Sequence, residues 1–424
     1  MKNVLVEQNL HWQNKIQAGI IREKLKDLIA FLEPKQIITI SGIRRCGKST
    51  LLKQAINHLI EAGVNSKNIL FLNLEHPFFI QHKQNINYLN HIFDEYIKIA
   101  NPQGKIYFFI DEVQFFENWQ VFVKNKYETQ NVKFVVTGSN SSLLSSDLHT
   151  LLTGRCLNIS LSSFNFREFL NYKGIEHKDE IQRIKNKIDI RRAFDEYLKW
   201  GGFFEVFYEN NESIKKEILI SYAKSIIFHD IIPRYQIRHH YDIEKVFYYI
   251  MSNACGLINY KLLSNALNIN DKTIKEYLRY FEDAFIVKTI DKFHFKIKEQ
   301  LKSAKKLYVT DNGFLQLGTF PIDSISKEFE QIILNYLINK NDNVFYLREK
   351  YEVDFFDNKN LYQASYSMEN EKTKKREINS LMHFMNEMKK QNGYIITYNE
   401  NDTIELENKT IKILSADEFI LENS

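Results

Sequence analysis

One stretch constrains this chain more than any other: Gly42-Ile43-Arg44-Arg45-Cys46-Gly47-Lys48-Ser49, followed by Thr50, which has the spacing G-x-x-x-x-G-K-S. In that pattern the glycines let successive backbone N–H groups curl around phosphate oxygens. The lysine neutralises the β and γ oxygens, and the serine hydroxyl takes a Mg²⁺ position. Such a loop works only between a strand and a helix, whose positive dipole end completes the anion site. Here Gln36-Ile37-Ile38-Thr39-Ile40 reads as a buried strand, and Leu51, Leu52, Ala55, Ile56 and Leu59 recur at helical spacing. Residues Gly42 to Thr50 are therefore expected to cradle the phosphates of a nucleoside triphosphate. Arg44 and Arg45 either add positive potential there or are simply exposed at a turn, and Cys46 reads as tolerated rather than catalytic.

A second element has the matching chemistry. Lys105-Ile106-Tyr107-Phe108-Phe109-Ile110 is an apolar run ending in Asp111-Glu112, as expected of a core parallel strand whose C-terminal end faces the nucleotide. Asp111 is the expected Mg²⁺ support and Glu112 the base that polarises the attacking water. A third strand, Lys133 to Gly138, ends in Ser139-Asn140, with Asn140 suited to sense the γ-phosphate. Further on, Leu151-Leu152-Thr153-Gly154-Arg155 sets an arginine after a short helical segment. Arg155 is either a finger reaching a triphosphate, in its own chain or a neighbour's, or a surface arginine paired with a nearby acid. A finger can be worth about 10³ to 10⁵ in turnover.

The length of 424 residues and 44% hydrophobic content fit two or three globular domains. No apolar stretch reaches the ~18 residues of a membrane span. Met1 to Glu7 lacks the charged start and long apolar core of a signal peptide, so the expected location is the cytoplasm. Three scattered cysteines, Cys46, Cys156 and Cys255, indicate neither a disulfide framework nor a structural zinc. A net charge of +4 from 57 basic and 53 acidic residues is too small to announce nucleic-acid binding, so that case rests on local clustering.

Ile16 to Leu32 has Ile21, Leu25, Leu28, Ile29 and Leu32 at helical spacing and reads as a helix ahead of the first strand. Residues 165 to 235 read as helical, with Gly201-Gly202 as a break and Pro233 near the end. The next segment has the layout of a winged helix, with helices at Asp242 to Ala254, Tyr260 to Leu267 and Asp271 to Asp283. On the last of these Ile274, Tyr277, Leu278 and Phe281 form one face, and Lys272, Lys275 and Arg279 fall on the opposite one. That basic face could grip a nucleic acid, DNA more than RNA, or simply be solvated; winged helices also serve protein contacts. Lys288, Lys292, Lys296, Lys298, Lys302, Lys305 and Lys306 continue the charge through the expected wing.

The motifs at 42 to 52, Phe109-Ile110-Asp111-Glu112-Val113-Gln114 and Thr137-Gly138-Ser139-Asn140-Ser141 together resemble the prokaryotic AAA-type ATPases whose C-terminal half is catalogued as a domain of unknown function. The likeness continues through Leu161 to Phe169, Gly201 to Val206 and His229 to Arg234, and so covers nearly the whole chain. The resemblance implies an α/β fold: a P-loop NTPase core with a parallel sheet, a helical and winged-helix middle, and a small α/β module similar to restriction endonucleases. It implies ATP and Mg²⁺ as ligands, and no guanine-specifying motif is visible. The expected parts are an N-terminal segment at 1–34, the ATPase core at 35–163, a helical lid or connector at 164–240, the winged helix at 241–318 and the nuclease-like module at 319–424. An active nuclease of that type wants Asp, then Glu-x-Lys, because two carboxylates hold Mg²⁺ and a lysine helps activate water. The corresponding residues are Glu330, Asp354, Gln363 and Ser365; glutamine has no charge and serine cannot replace an ammonium, so cleavage is not expected. Three functions follow as expectations: an ATPase coupled to nucleic acid, a nucleotide-gated switch or scaffold with a protein partner, and, least favoured, an ATP-regulated nuclease. Self-association rests on Arg155 alone.

Overall fold

Ile37–Ser41 forms strand β1, with every residue buried, in the computed structural model, which describes residues 1–141, 152, 154–318, 325–341 and 343–422. A strand apolar on both faces needs cover on both sides, which is the signature of a parallel sheet inside helices. The first compact unit, Met1–Ser163 with Asp283–Phe285, builds that arrangement. In chain order the unit also holds helices α1 (Lys2–Gln8), α2 (Leu25–Leu32) and α3 (Lys48–Glu61), and strand β2 (Ile69–Asn73). Helix α4 (Ile86–Ala100), β3 (Ile106–Asp111), α5 (Trp119–Thr129), β4 (Val132–Gly138) and β5 (Cys156–Ser160) follow. The sheet order is β2-β3-β4-β1-β5, and all four pairings are parallel. The register sets Ser41 beside both Gly138 and Ser160, and Asn73 beside Asp111, so the C-terminal strand ends share one edge. One face is packed by an aromatic-rich cluster that includes Phe93, Phe108, Phe122 and Phe134.

The helix expected over Ile16 to Leu32 is shorter than its periodicity suggests: only Leu25–Leu32 is helical. The reason is side-chain competition for backbone groups. Gln54 Nε2 donates to the carbonyls of Ala18 (2.8 Å) and Ile20 (2.6 Å), and Asn57 Nδ2 to that of Ile16 (2.7 Å). Those bonds hold residues 16 to 20 irregular along α3, where helical carbonyls would have been committed to their own ladder.

The second unit comprises Phe164–Glu282 and Ile286–Ser424. Its first part is helical, including Phe166–Lys173, Lys187–Trp200 and Glu212–Ser225. Helices His240–Asn253, Tyr260–Leu267 and Asp271–Asp283 follow, within one residue or two of the boundaries read from periodicity. A three-stranded antiparallel sheet of order β6-β8-β7, from Gly256–Leu257, Lys306–Val309 and Val287–Ile290, packs with them. The C-terminal part is a mixed six-stranded sheet of order β13-β14-β12-β11-β10-β9. In chain order its strands are Phe345–Arg348, Glu352–Phe356, Leu361–Ala364, Asn392–Thr397, Asp402–Leu406 and Lys409–Ser415 (β9 to β14). Helices Ile325–Lys340 and Glu371–Glu387 accompany it. The fold is thus mixed α/β: a parallel five-stranded core, then a helical region and a separate sheet. No helix among the described residues is long and apolar enough to cross a membrane.

Candidate nucleotide-binding site

The loop between β1 and α3 is held by contacts that explain its residue types. A Cβ on Gly42 would stand 2.0 Å from the Leu161 carbonyl oxygen, so no larger residue fits. Gly47 caps α3 at φ 98°, a left-handed conformation that costs glycine little. Lys48 opens the helix and is 4% exposed. Its Nζ donates to the carbonyls of Gly42 (3.1 Å) and Ile43 (3.3 Å) and lies 3.4 Å from Glu112 Oε1.

Asp111 and Glu112 arrive at the end of β3. The Ser49 hydroxyl donates to Asp111 Oδ2 at 2.5 Å, and the Thr137 hydroxyl, from β4, donates to Oδ1 at 2.5 Å. Glu112 takes the left-handed conformation, φ 54°, which turns the chain out of the strand; its N–H donates to Thr137 Oγ1 (3.0 Å). A non-glycine residue pays for that geometry with about 1–3 kcal/mol of strain. Gln114 Nε2 donates to Glu112 Oε2 (2.5 Å) and to Ser139 Oγ (3.0 Å). Ser139 and Asn140 are buried at the exit of β4, beside these groups in the sheet order.

The electrostatics are those of a buried, charged cluster. Burial works against the Lys48 charge, but the Glu112 carboxylate, with Asp111 behind it, more than offsets this and raises its pKa. Burial pushes at Glu112 in the opposite sense from Lys48, Gln114 and Arg44, and these partners win, holding it below the ordinary glutamate value. Burial and then the Glu112 charge push the Asp111 carboxyl up to about 6. A carboxylate so placed beside a hydroxyl is a hard-oxygen pair of the kind Mg²⁺ takes, and a divalent cation would relieve its burden. The residues present therefore fit such a metal, which Ser49 and Asp111 would hold. Arg44 pairs with Glu75, just beyond β2, while Arg45 is exposed at φ 71°. Cys46 is 2% exposed and burial raises its thiol pKa, which keeps it un-ionised.

Two residues that spacing did not reveal complete the loop. The Arg22 guanidinium, 2% exposed, donates from NH1 to the Cys46 carbonyl (2.5 Å) and from NH2 to that of Ser162 (2.8 Å). Gln54 Oε1 accepts from Arg22 N–H (3.1 Å). Arg22 braces the loop from behind, tying it to the end of β5. A lone arginine beside Ile21, within a stretch of helical periodicity, reads as a solvated side chain of a helix, so only the fold exposes this role.

Arg155 is not brought to the phosphate loop. It precedes β5, at the N-terminal edge of the parallel sheet, whereas the loop follows the C-terminal end of β1. There its NH1 pairs with Glu128 at 2.8 Å, with both side chains partly exposed. The physical reason is strand direction: residues before a parallel strand and residues after it lie at opposite edges. The short helical segment expected ahead of Arg155 lies mostly outside the described residues.

In the second unit, Lys272, Lys275 and Arg279 are exposed on one side of Asp271–Asp283, and Ile274, Tyr277, Leu278 and Phe281 are buried on the other. Lys275 Nζ is 3.3 Å from Asp271, so part of the charge is locally paired. Lys306 departs from the expected wing: it is 4% exposed on β8 and turns inward to Glu330, Glu352 and Asp354. Gln363 and Ser365 are spent on internal bonds. Gln363 accepts from Asp354 N–H and donates to Glu377, and Ser365 Oγ donates to the Ser367 carbonyl at 3.2 Å.

Two family models match stretches of the chain. Residues 34–170 match the family model described as "AAA domain", and residues 191–320 match "Domain of unknown function (DUF8612)". A Haemophilus influenzae relative, "Uncharacterized protein", is 35% identical over 303 residues, 70% of this chain and 73% of the relative. "Uncharacterized protein MJ1544" of Methanocaldococcus jannaschii is 32% identical over 394 residues, 88% of this chain and 85% of the relative. Among solved structures, the Aeropyrum pernix ORC1 protein in complex with DNA aligns with a TM-score of 0.31 at 9% identity, covering 71% of this chain and 93% of that one. AMPPCP-bound DnaA from Aquifex aeolicus aligns at 0.28 and 15% identity, covering 61% of this chain and 86% of that one. At 32% identity over 88% of its length, the chain belongs to the family of MJ1544, with an AAA domain over residues 34–170.

Proposed function

We propose that the chain is a Mg²⁺-dependent ATPase whose turnover is coupled to nucleic acid. The observation that carries the first half is the convergence of Lys48, Ser49, Asp111 and Glu112 at one edge of the parallel sheet. In this reading the amides of Gly42 to Thr50 cradle the β- and γ-phosphates, and Lys48 exchanges its carbonyl contacts for phosphate oxygens. Ser49 and Asp111 would hold Mg²⁺, which would neutralise charge developing on the phosphates. Glu112 accepts a hydrogen bond from the attacking water and turns it in line with the γ-phosphorus. Gln114 fixes the carboxylate's direction, and Asn140 donates to the γ-phosphate. Arg155 enters this scheme only from a neighbouring copy.

Coupling to nucleic acid, DNA before RNA, rests on the exposed Lys272, Lys275 and Arg279 and on a helix and hairpin order suited to a winged helix. Steady-state ATP turnover with and without single-stranded and duplex DNA, at two salt concentrations, tests it. Stimulation that fades with salt, and is lost in a Lys272→Ala/Lys275→Ala/Arg279→Ala variant, is expected. Turnover indifferent to every DNA form would transfer the second unit to a protein partner.

A further inference from the structure

Lys306 carries a charge into a place where none is expected without a strong reason. Its strand, β8, belongs to the small three-stranded sheet, yet its ammonium lies 2.7 Å from Glu352 Oε1 and 3.4 Å from both Glu330 Oε1 and Asp354 Oδ1. Glu330 comes from the helix Ile325–Lys340, and Glu352 and Asp354 from β10. The three carboxylates thus converge from two elements on a cation delivered by a third. Further bonds hold them in place: the Tyr308 hydroxyl donates to Glu330 Oε1 (2.6 Å), and Ala364 N–H donates to Asp354 Oδ2 (3.0 Å). Burial opposes the Lys306 charge, but the Asp354, Glu330 and Glu352 carboxylates outweigh it and raise its pKa far above the lysine norm. Burial, followed by the Asp354 charge, raises the Glu330 pKa.

Converging carboxylates from a helix and the adjacent strand form the donor set that hard divalent cations take. A divalent ion needs oxygens at about 2.0–2.6 Å from its centre. Here the centre is an ammonium whose longer contacts keep those oxygens farther out, and the same space cannot hold both. The residues do not fit a bound metal as the chain stands. We propose that Lys306 is a tethered substitute for a divalent cation, closing a latent metal site formed by Glu330, Glu352 and Asp354, so that removing its ammonium opens that site. The consequence for the second unit is that its sheet is tied to β8 by an internal cation that neither chelation nor metal supply can remove.

Mn²⁺ binding to the full-length, nucleotide-free protein, followed by calorimetry and by the Mn²⁺ paramagnetic resonance signal, tests this. Lys306→Ala should acquire one Mn²⁺ site about tenfold or more tighter than any in the wild type, and Lys306→Ala/Asp354→Asn should lose it. Should Lys306→Ala fail to fold, Lys306→Gln, which keeps most of the stem and an N–H donor, carries the same comparison. Two results overturn the proposal: a folded Lys306 variant that binds no additional Mn²⁺, or wild-type protein whose Mn²⁺ binding is lost on Asp354→Asn.

Discussion

At the scale of single residues, the phosphate loop depends on groups that never touch phosphate. Arg22 satisfies the Cys46 carbonyl inside the loop and the Ser162 carbonyl beyond β5, so one guanidinium fixes the loop's position relative to the sheet. Replacing it with an apolar residue of similar length leaves buried carbonyl oxygens without a donor, at about 1–3 kcal/mol each. Arg22→Met is expected to lower the unfolding free energy by about 2–4 kcal/mol and to weaken ATP binding, with denaturant unfolding and equilibrium nucleotide titration as the measurements. Unchanged stability and affinity would mean that the loop holds itself. Gln114 works in the same indirect manner on Glu112, through a bond that also engages Ser139.

At the scale of elements, the first strands and helices were legible because their chemistry is periodic or motif-bound. Buried runs such as Ile37–Ser41 and Ile106–Asp111 have one stable setting, a parallel sheet, and the G-x-x-x-x-G-K-S string needs a helix behind it. The amphipathic pattern of Asp271–Asp283 was equally plain. What was hidden depends on long-range pairing. The helical periodicity of residues 16 to 24 lost to Gln54 and Asn57, which take the backbone carbonyls it would have used. Lys306 looked like one more wing lysine, because nothing local records that three acids from later in the chain surround it.

The N-terminal segment of the first unit also has a pH-sensitive fastening. His11 Nε2 and Trp12 Nε1 both lie at the Ile69 carbonyl, at the start of β2, at 3.0 Å and 2.8 Å. His11 Nδ1 is buried with no partner in the described structure, and burial lowers the His11 pKa below 6.5. The unfolded chain therefore binds a proton at a pH where the folded one refuses it. Stability from this residue is present above pH 6.5 and is lost as the pH falls from there toward the lowered native value. Thermal melts at pH 7.5 and 5.5 are expected to show a smaller acid-induced drop in His11→Gln than in the wild type; equal drops in both would remove His11 from the account.

For the whole molecule, the division into two compact units separates the two halves of the proposed function: phosphate chemistry in the first, a basic helix and a lysine-closed carboxylate cluster in the second. The central claim is that Lys48, Ser49, Asp111 and Glu112 form one hydrolytic site. The most direct measurement is ATP binding alongside Mg²⁺-dependent phosphate release for the wild type, Lys48→Ala and Glu112→Gln. Binding and turnover in the wild type, weakened binding in Lys48→Ala, and retained binding with turnover reduced about 10²- to 10⁴-fold in Glu112→Gln are predicted. Turnover in Glu112→Gln equal to that of the wild type, or a wild type that binds no ATP, would contradict the claim.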